Sequence, residues 1–223
     1  MSCSSGSGNI TKQITFDMKQ FVVTIGRQPG SGGKEVAEVL ARELGVKVYD
    51  KALLQEAAQA SGFDASLFEK ADECESTSLF GGIFSIHGSI SEYITGGSCI
   101  DNDKLFEIQS ETICNIAQSE SCIIVGRCAE YVLRDHPAML SIFLTADHAD
   151  RVQRIMRGEN LDHDAAVEFI EKNDKKRRSY HDYYATTLWG DAASYDICIN
   201  TSRLGVEGTV ELIKHLVAKR FSR

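Results

Sequence analysis

Four groups of residues in this chain have types and spacing that could do chemistry. The first is Gly30-Ser31-Gly32-Gly33-Lys34, a glycine-dense turn ending on a cation. In such a turn successive backbone N–H groups converge on one point, and a helix N-terminus behind them adds partial positive charge. The turn therefore reads as a phosphate cradle. The second is Asp50, directly after Val46-Lys47-Val48-Tyr49, and the third is Gly126-Arg127, directly after Cys122-Ile123-Ile124-Val125. The fourth is a set of arginines: Arg151, Arg154 and Arg157 at helical spacing, then Arg177 and Arg178 in the run from Lys172. Arginine's planar fork pairs with two phosphate oxygens at once, so the common theme is binding and neutralising phosphate. Each has a plainer reading beside it: a loop that only turns the chain, an N-cap at Asp50, an ion pair at Arg127, and a solvated charged helix face.

The elements that must position these groups follow from periodicity. Phe21 to Ile25 is a near-continuous apolar, β-branched run, suited to a strand buried on both faces. Val36, Ala37, Leu40, Ala41 and Leu44 then line one helical face from about Gly33, with Gly45 as the stop. Short strands are expected at Val46–Tyr49, Cys122–Arg127, Met139–Leu144 and Tyr195–Asn200. Helical patterns run through Leu53 to Gly62, Leu67-Phe68, Leu105 to Ala117, from Asp147 as a cap, over Asp162 to Tyr184, and over Val206 to Phe221. Strands and helices alternate, which predicts a parallel sheet covered on both faces, with the glycine turn, Asp50 and Gly126-Arg127 on its carboxyl edge. Residues 1–19 read as a flexible leader and 20–223 as a single domain. The irregular stretch from Glu75 to Ile100, with Gly81-Gly82, Gly88 and Gly96-Gly97, reads as part of a flap.

Composition limits the partners. The chain has 223 residues, 43% of them hydrophobic, and a formal net charge of −8. That balance argues against a nucleic-acid surface, which needs a clustered basic face, but not against a small anionic ligand. Seven cysteines, odd in number and without a Cys-x-x-Cys pair, read as reduced thiols of a cytoplasmic protein. No run approaches the roughly 20 apolar residues that span a bilayer. No residue is assigned as a metal ligand.

The order of these features resembles the P-loop nucleoside monophosphate kinases, and in particular the cytidylate kinase-like family. The resemblance rests on Gly30-Ser31-Gly32, Tyr49-Asp50-Lys51-Ala52-Leu53, Gly126-Arg127, Ile142-Phe143-Leu144-Thr145-Ala146 with its Arg-rich helix, and Ile199-Asn200-Thr201-Ser202, over about residues 20–220. It implies an α/β three-layer sandwich with a five-stranded parallel sheet and helices on both faces. It implies ATP- and Mg2+-dependent phosphorylation of a nucleoside monophosphate, CMP-like, to the diphosphate. By the same resemblance Gly30, Ser31, Gly32, Gly33 and Lys34 hold the ATP phosphates, Asp50 contacts the acceptor nucleoside, and Arg127 holds the acceptor phosphate. Lys34, Arg154, Arg157, Arg177 and Arg178 would act on the transferring phosphoryl group, the arginines from a mobile lid at about 154–185. An acceptor-side flap at about 63–104 would face them.

The loop departs from the standard pattern of Gly, four residues, Gly-Lys, then Ser or Thr. With Lys34 as the loop lysine, Gln28 stands at the first glycine and Glu35 at the hydroxyl. Aligned through Gly30-Ser31-Gly32, Gly33 stands at the lysine and Lys34 follows it. Either register lacks the hydroxyl. Kinases of another small metabolite, or a nucleotide-binding regulator that has lost catalysis, are the alternatives. Oligomeric state is left open.

Overall fold

The computed structural model describes residues 19–60 and 98–222, with the side chains of 98–101 outside that description. The leader 1–18, the pattern at Leu67-Phe68 and the 63–97 part of the flap lie outside the described residues. Five strands form one all-parallel sheet: β1 Val22–Arg27, β2 Lys47–Tyr49, β3 Cys122–Val125, β4 Met139–Thr145 and β5 Ile197–Asn200. Their order is β2-β3-β1-β4-β5, so β1 is central, between β3 and β4.

The side-chain period of two explains the layers. Val23 and Ile25 face one side, where they pack with Ile123, Val125 and Ile142 beneath α1 (Gly33–Leu44) and α7 (Thr201–Phe221). Val22, with Cys122 and Ile124, faces the other, under α2 (Lys51–Ala60), α3 (Ser98–Ser119) and the short α4 (Ala129–Val132). Complete burial of side chains such as Ile25, Ile124 and Ile142 contributes about 1.5–3 kcal/mol each. The predicted five-stranded sheet with helices on both faces is the observed architecture.

A third unit stands apart from these layers. α5 (His148–Glu159) and α6 (His163–Tyr184) form a helical hairpin around Val152, Ile155, Ala166 and Ile170. Asn160, at φ 53°, ends α5, and the Asp162 carboxylate accepts from the Ala165 N–H at 2.9 Å to start α6. This hairpin occupies the region predicted as a lid.

Three local expectations change. Asp147 stands at the α5 N-cap position but makes no side-chain cap; its carboxylate accepts from the Asn200 amide at 2.8 Å and pairs with Arg203 at 3.0 Å. Those partners, brought by β5 and α7, outcompete the local backbone. α3 is helical from Ser98, seven residues before the apolar pattern begins at Leu105. α7 starts at Thr201 rather than Val206, because Asn200 accepts from the Ser202 N–H and Gly205 takes a non-helical φ/ψ of 67°/−178° within the run. That backbone region is open essentially only to glycine. Nothing lies within 4 Å of a Cβ built on Gly205, so crowding adds no cost. Gly205→Ala is expected to lower stability by about 1–3 kcal/mol, read by urea unfolding; an unchanged midpoint would refute the conformational argument.

Candidate active site

Two Gly-Arg pairs build the floor of the site. Gly26-Arg27 ends β1 and Gly126-Arg127 follows β3, on adjacent strands in register at Ile25 and Val125. The second pair is strained: Gly126, Arg127 and Cys128 have φ of 77°, 61° and 54° in succession. Two consecutive non-glycine residues in the left-handed region cost about 1–3 kcal/mol each and persist only where the surroundings hold them. The turn aims the Arg127 side chain into a cavity of about 510 Å³, where its guanidinium lies 5.5 Å from the Tyr180 ring centroid. Arg27, Arg127, Arg177, Tyr180, His181 and Trp189 are among the residues lining this cavity.

The glycine loop runs from β1 into α1, with Gly32 at φ 76° as N-cap and Gly33 as the first helical residue. Its carbonyl oxygens are held from outside. Arg177 donates to the Arg27 carbonyl at 2.8 Å, Arg151 to Pro29 at 2.8 Å, Arg154 to Gly30 at 3.1 Å, and the Thr201 hydroxyl to Ser31 at 2.7 Å. Because a trans peptide sets N–H and C=O on opposite sides, pinning the Pro29 and Ser31 carbonyls turns the amides of Gly30 and Gly32 the other way. The loop backbone is thereby fixed from outside. Gly30 has no room for a side chain, since a Cβ there would lie 2.5 Å from the Arg151 carbonyl oxygen.

The arginines divide by role. Arg151, 5% exposed, also pairs with Asp174 at 2.7 Å, tying α5 to α6 beneath the loop. Arg154 and Arg177 reach the loop as described. Arg157 is exposed in the last turn of α5, and Arg178 is exposed and lies 5.8 Å from the Trp189 ring. The structure thus brings Arg127 and Arg177 to one cavity and Arg154 to the glycine loop, and it leaves Arg157 and Arg178 exposed. Lys34 projects outward: its side chain is 84% exposed and 4.0 Å from Glu38 on the next turn of α1. Asp50 caps α2, its Oδ1 accepting from the Ala52 and Leu53 N–H groups at 3.1 Å each.

Electrostatically the site is positive, with Arg27, Arg127 and Arg177 lining one cavity. Burial, then the neighbouring Arg177 and Arg127, push the Arg27 guanidinium down to about 9, against the pull of Asp50. It stays charged at pH 7. Burial also lowers Arg177, where Arg151 acts in the same direction and Asp174 opposes. Groups with pKa values perturbed in this way cluster at functional sites. Cys128, next to Arg127, is buried, and its thiol is pushed up by that burial and by Glu130, so it is a packing residue rather than a nucleophile.

Three residues were not marked by sequence reasoning: Arg27, Glu130 and His181. Arg27 had a signal, since its Gly-Arg pair repeats the one at Arg127. The Glu130–His181 contact, 2.8 Å across 51 residues, had none.

Comparisons with known proteins agree with this fold. Residues 22–203 match the model of the cytidylate kinase-like family. A cytidylate kinase of Methanocaldococcus jannaschii is 26% identical over 200 residues, covering 88% of this chain and 97% of that one. A cytidylate kinase of Methanopyrus kandleri is 28% identical over 204 residues, covering 86% and 91%. Among solved structures, an uncharacterized protein from Eubacterium ventriosum superposes with a TM-score of 0.68 at 30% identity, covering 89% of this chain and 98% of that one. A shikimate kinase from Bacteroides thetaiotaomicron shares the fold, with a TM-score of 0.51 at 14% identity, covering 88% and 98%. The chain belongs to the cytidylate kinase-like family, as a nucleoside monophosphate kinase-like phosphotransferase.

Proposed function

We propose that this protein transfers the γ-phosphoryl group of ATP to a nucleoside monophosphate, with CMP the first acceptor to test. One observation carries the reading: Arg27, Arg127 and Arg177 converge on a single cavity beside a phosphate-cradle loop. The relatives named cytidylate kinase point to the base. Transfer between two polyanions needs their repulsion neutralised and the reacting groups held in line, and little covalent assistance. An acceptor phosphate oxygen attacks the γ-phosphorus while the bond to the ADP oxygen breaks. A phosphate with a second pKa near 6 is already ionised at pH 7, so no protein base is required.

Mg2+ fits as an ion carried by the nucleotide. Among the described residues no group of three His, Cys, Asp or Glu side chains could cage it. Mg2+ commonly keeps several waters and binds through substrate phosphates, where it supplies charge neutralisation. No helix among the described residues is long and apolar enough to cross a membrane. Cys114, Cys122, Cys128 and Cys198 are free thiols, which suits the cytoplasm.

ADP release measured with CMP, dCMP, UMP, AMP and GMP, with shikimate as a non-nucleotide control, tests the reading. Turnover with a monophosphate is the expected result; turnover with none of them, at millimolar concentration, would overturn it. A nucleotide-binding regulator without turnover is the second reading, favoured by the bare Gly33 at the head of α1.

Asp50 can be tested separately from its capping role. Asparagine caps as well as aspartate, whereas alanine costs about 1 kcal/mol. If Asp50 contacts the acceptor, Asp50→Asn leaves Tm unchanged and raises the acceptor KM about tenfold, a typical loss for one charged contact. An unchanged KM would leave Asp50 as a cap only.

A further inference from the structure

We propose that Arg27 is the cation this enzyme uses in place of the loop lysine, delivered from the end of β1 instead of the start of α1. The proposal deepens the phosphoryl-transfer reading above and rests on it. The standard loop places a lysine at the first helical position, from where it reaches the β- and γ-phosphates. Here that position is Gly33. Lys34, one residue on, points to solvent.

The space such a lysine would start from is filled by Arg27. A Cβ built on Gly33 would lie 2.9 Å from the Arg27 Cβ and 3.0 Å from its Cγ. At the far end of the side chain, a Cβ built on Gly126 would collide with Arg27 Nη1. The Arg27 side chain therefore lies across the head of α1 and ends against the β3 turn. Two glycines are bare where it passes. Its guanidinium lines the same cavity as Arg127 and Arg177, between the cradle and the acceptor side.

The exchange is reciprocal. In the pattern Gly, four residues, Gly-Lys, with Gly32 as the second glycine, the first glycine falls at position 27 and the lysine at 33. This chain has arginine at 27 and glycine at 33. Because the Cβ atoms of these two positions would be in contact, only one of them can carry a side chain, and a cation gained at 27 requires its loss at 33. Arg27 then bridges the donor's transferring phosphate and the acceptor phosphate held by Arg127. Its charge acts where the two anions approach, and no proton changes place.

Arg27→Met keeps the side-chain stem and removes the charge. It is expected to lower kcat by about 10³-fold, the scale seen when a charge aimed at a phosphoryl transition state is removed. The KM for ATP should rise about tenfold as well, because the same charge holds the donor's phosphates before transfer. Removing one of three crowded cations also predicts an unchanged or higher Tm, whereas a structural role predicts a lower one. Gly33→Lys alone is expected to fold poorly. Arg27→Gly with Gly33→Lys should recover at least tenfold in kcat over Arg27→Gly alone. A folded Arg27→Met protein within tenfold of the wild-type kcat would overturn the proposal, as would a folded double variant no better than Arg27→Gly. If the double variant does not fold, Arg27→Met decides.

Calorimetric titration with inorganic tripolyphosphate separates this proposal from the acceptor reading. Should no nucleoside monophosphate be turned over, a tenfold or greater loss of tripolyphosphate affinity in Arg27→Met still supports the assignment of Arg27. Equal affinity in the two proteins would defeat it.

Discussion

Arg127→Ala is expected to raise the KM for the acceptor by roughly 30- to 10³-fold while Tm stays within a few degrees of wild type. The range follows from about 2–4 kcal/mol for truncating a charged hydrogen-bonding partner in a half-buried site. Stability should be spared because Arg127 lines a cavity rather than a packed core, and because the neighbouring Arg27 is relieved of a like charge. The interaction with the Tyr180 ring, about 0.5–1 kcal/mol for such contacts, is the offsetting loss. Arg127→Gly sharpens the test. At φ 61° glycine removes the left-handed strain, so this variant should be as stable as wild type or more so, and equally defective in acceptor binding. Steady-state kinetics and thermal melts check both. Loss of Tm comparable to Ile124→Ala, or an unchanged acceptor KM, would remove Arg127 from the site.

The second large effect concerns a pair the chemistry does not use directly. His181 Nε2 lies 2.8 Å from Glu130 Oε1, with the two side chains 4% and 6% exposed. His181 Nδ1 lies 3.1 Å from Asp182 Oδ1. The pair fastens α6 to α4, directly behind the Gly126 to Cys128 turn, and so holds the roof of the cavity to its floor. His181→Ala leaves Glu130 buried without this partner, a loss of about 3–5 kcal/mol, or on the order of 10 °C in Tm for a chain of this size. Glu130→Met with His181→Phe removes both partners and should recover most of that, since no unpaired charge remains. A double variant as unstable as His181→Ala would show that packing, not the pair, is responsible.

The same pair gives a pH dependence with a defined sign. Burial alone would lower the His181 pKa. The hydrogen bonds and charges of Glu130 and Asp182 outweigh it, and the net shift is upward from 6.5. A group whose pKa is higher in the folded state stabilises fully below its unfolded value and loses that contribution as pH rises through the folded one. Tm should therefore fall as pH is raised above about 6.5, and this component should be missing from the double variant. A wild-type profile flat from pH 6 to 9 would contradict the assignment.

How much of this was legible in the sequence depends on the range of each interaction. β1 and α1 could be bounded because their signals are local: the β-branched run at Phe21–Ile25, the apolar stripe from Val36 to Leu44, and Gly45 at φ 68° to stop the helix. The two-faced burial of β1 followed from its unbroken apolar run. The edge that gathers the loop, Asp50 and Arg127 followed from strand–helix alternation alone. Parallel strands joined by helical crossovers put their carboxyl ends together whatever the side chains are.

What the sequence could not decide depends on contacts between distant segments. Asp147 looks like a cap until β5 brings Asn200 beside it. Lys34 looks like the loop cation until the helix phase turns it to solvent. Arg154 and Arg157 look alike at helical spacing, but only Arg154 meets the loop, because the next step carries Arg157 about 4.5 Å further along α5 to its exposed last turn. Local pattern specifies the elements and the order in which they reach the sheet edge. Which of positions 27 and 33 can carry a side chain is set by a steric exclusion between them, which exists only once β1 and α1 are folded against each other.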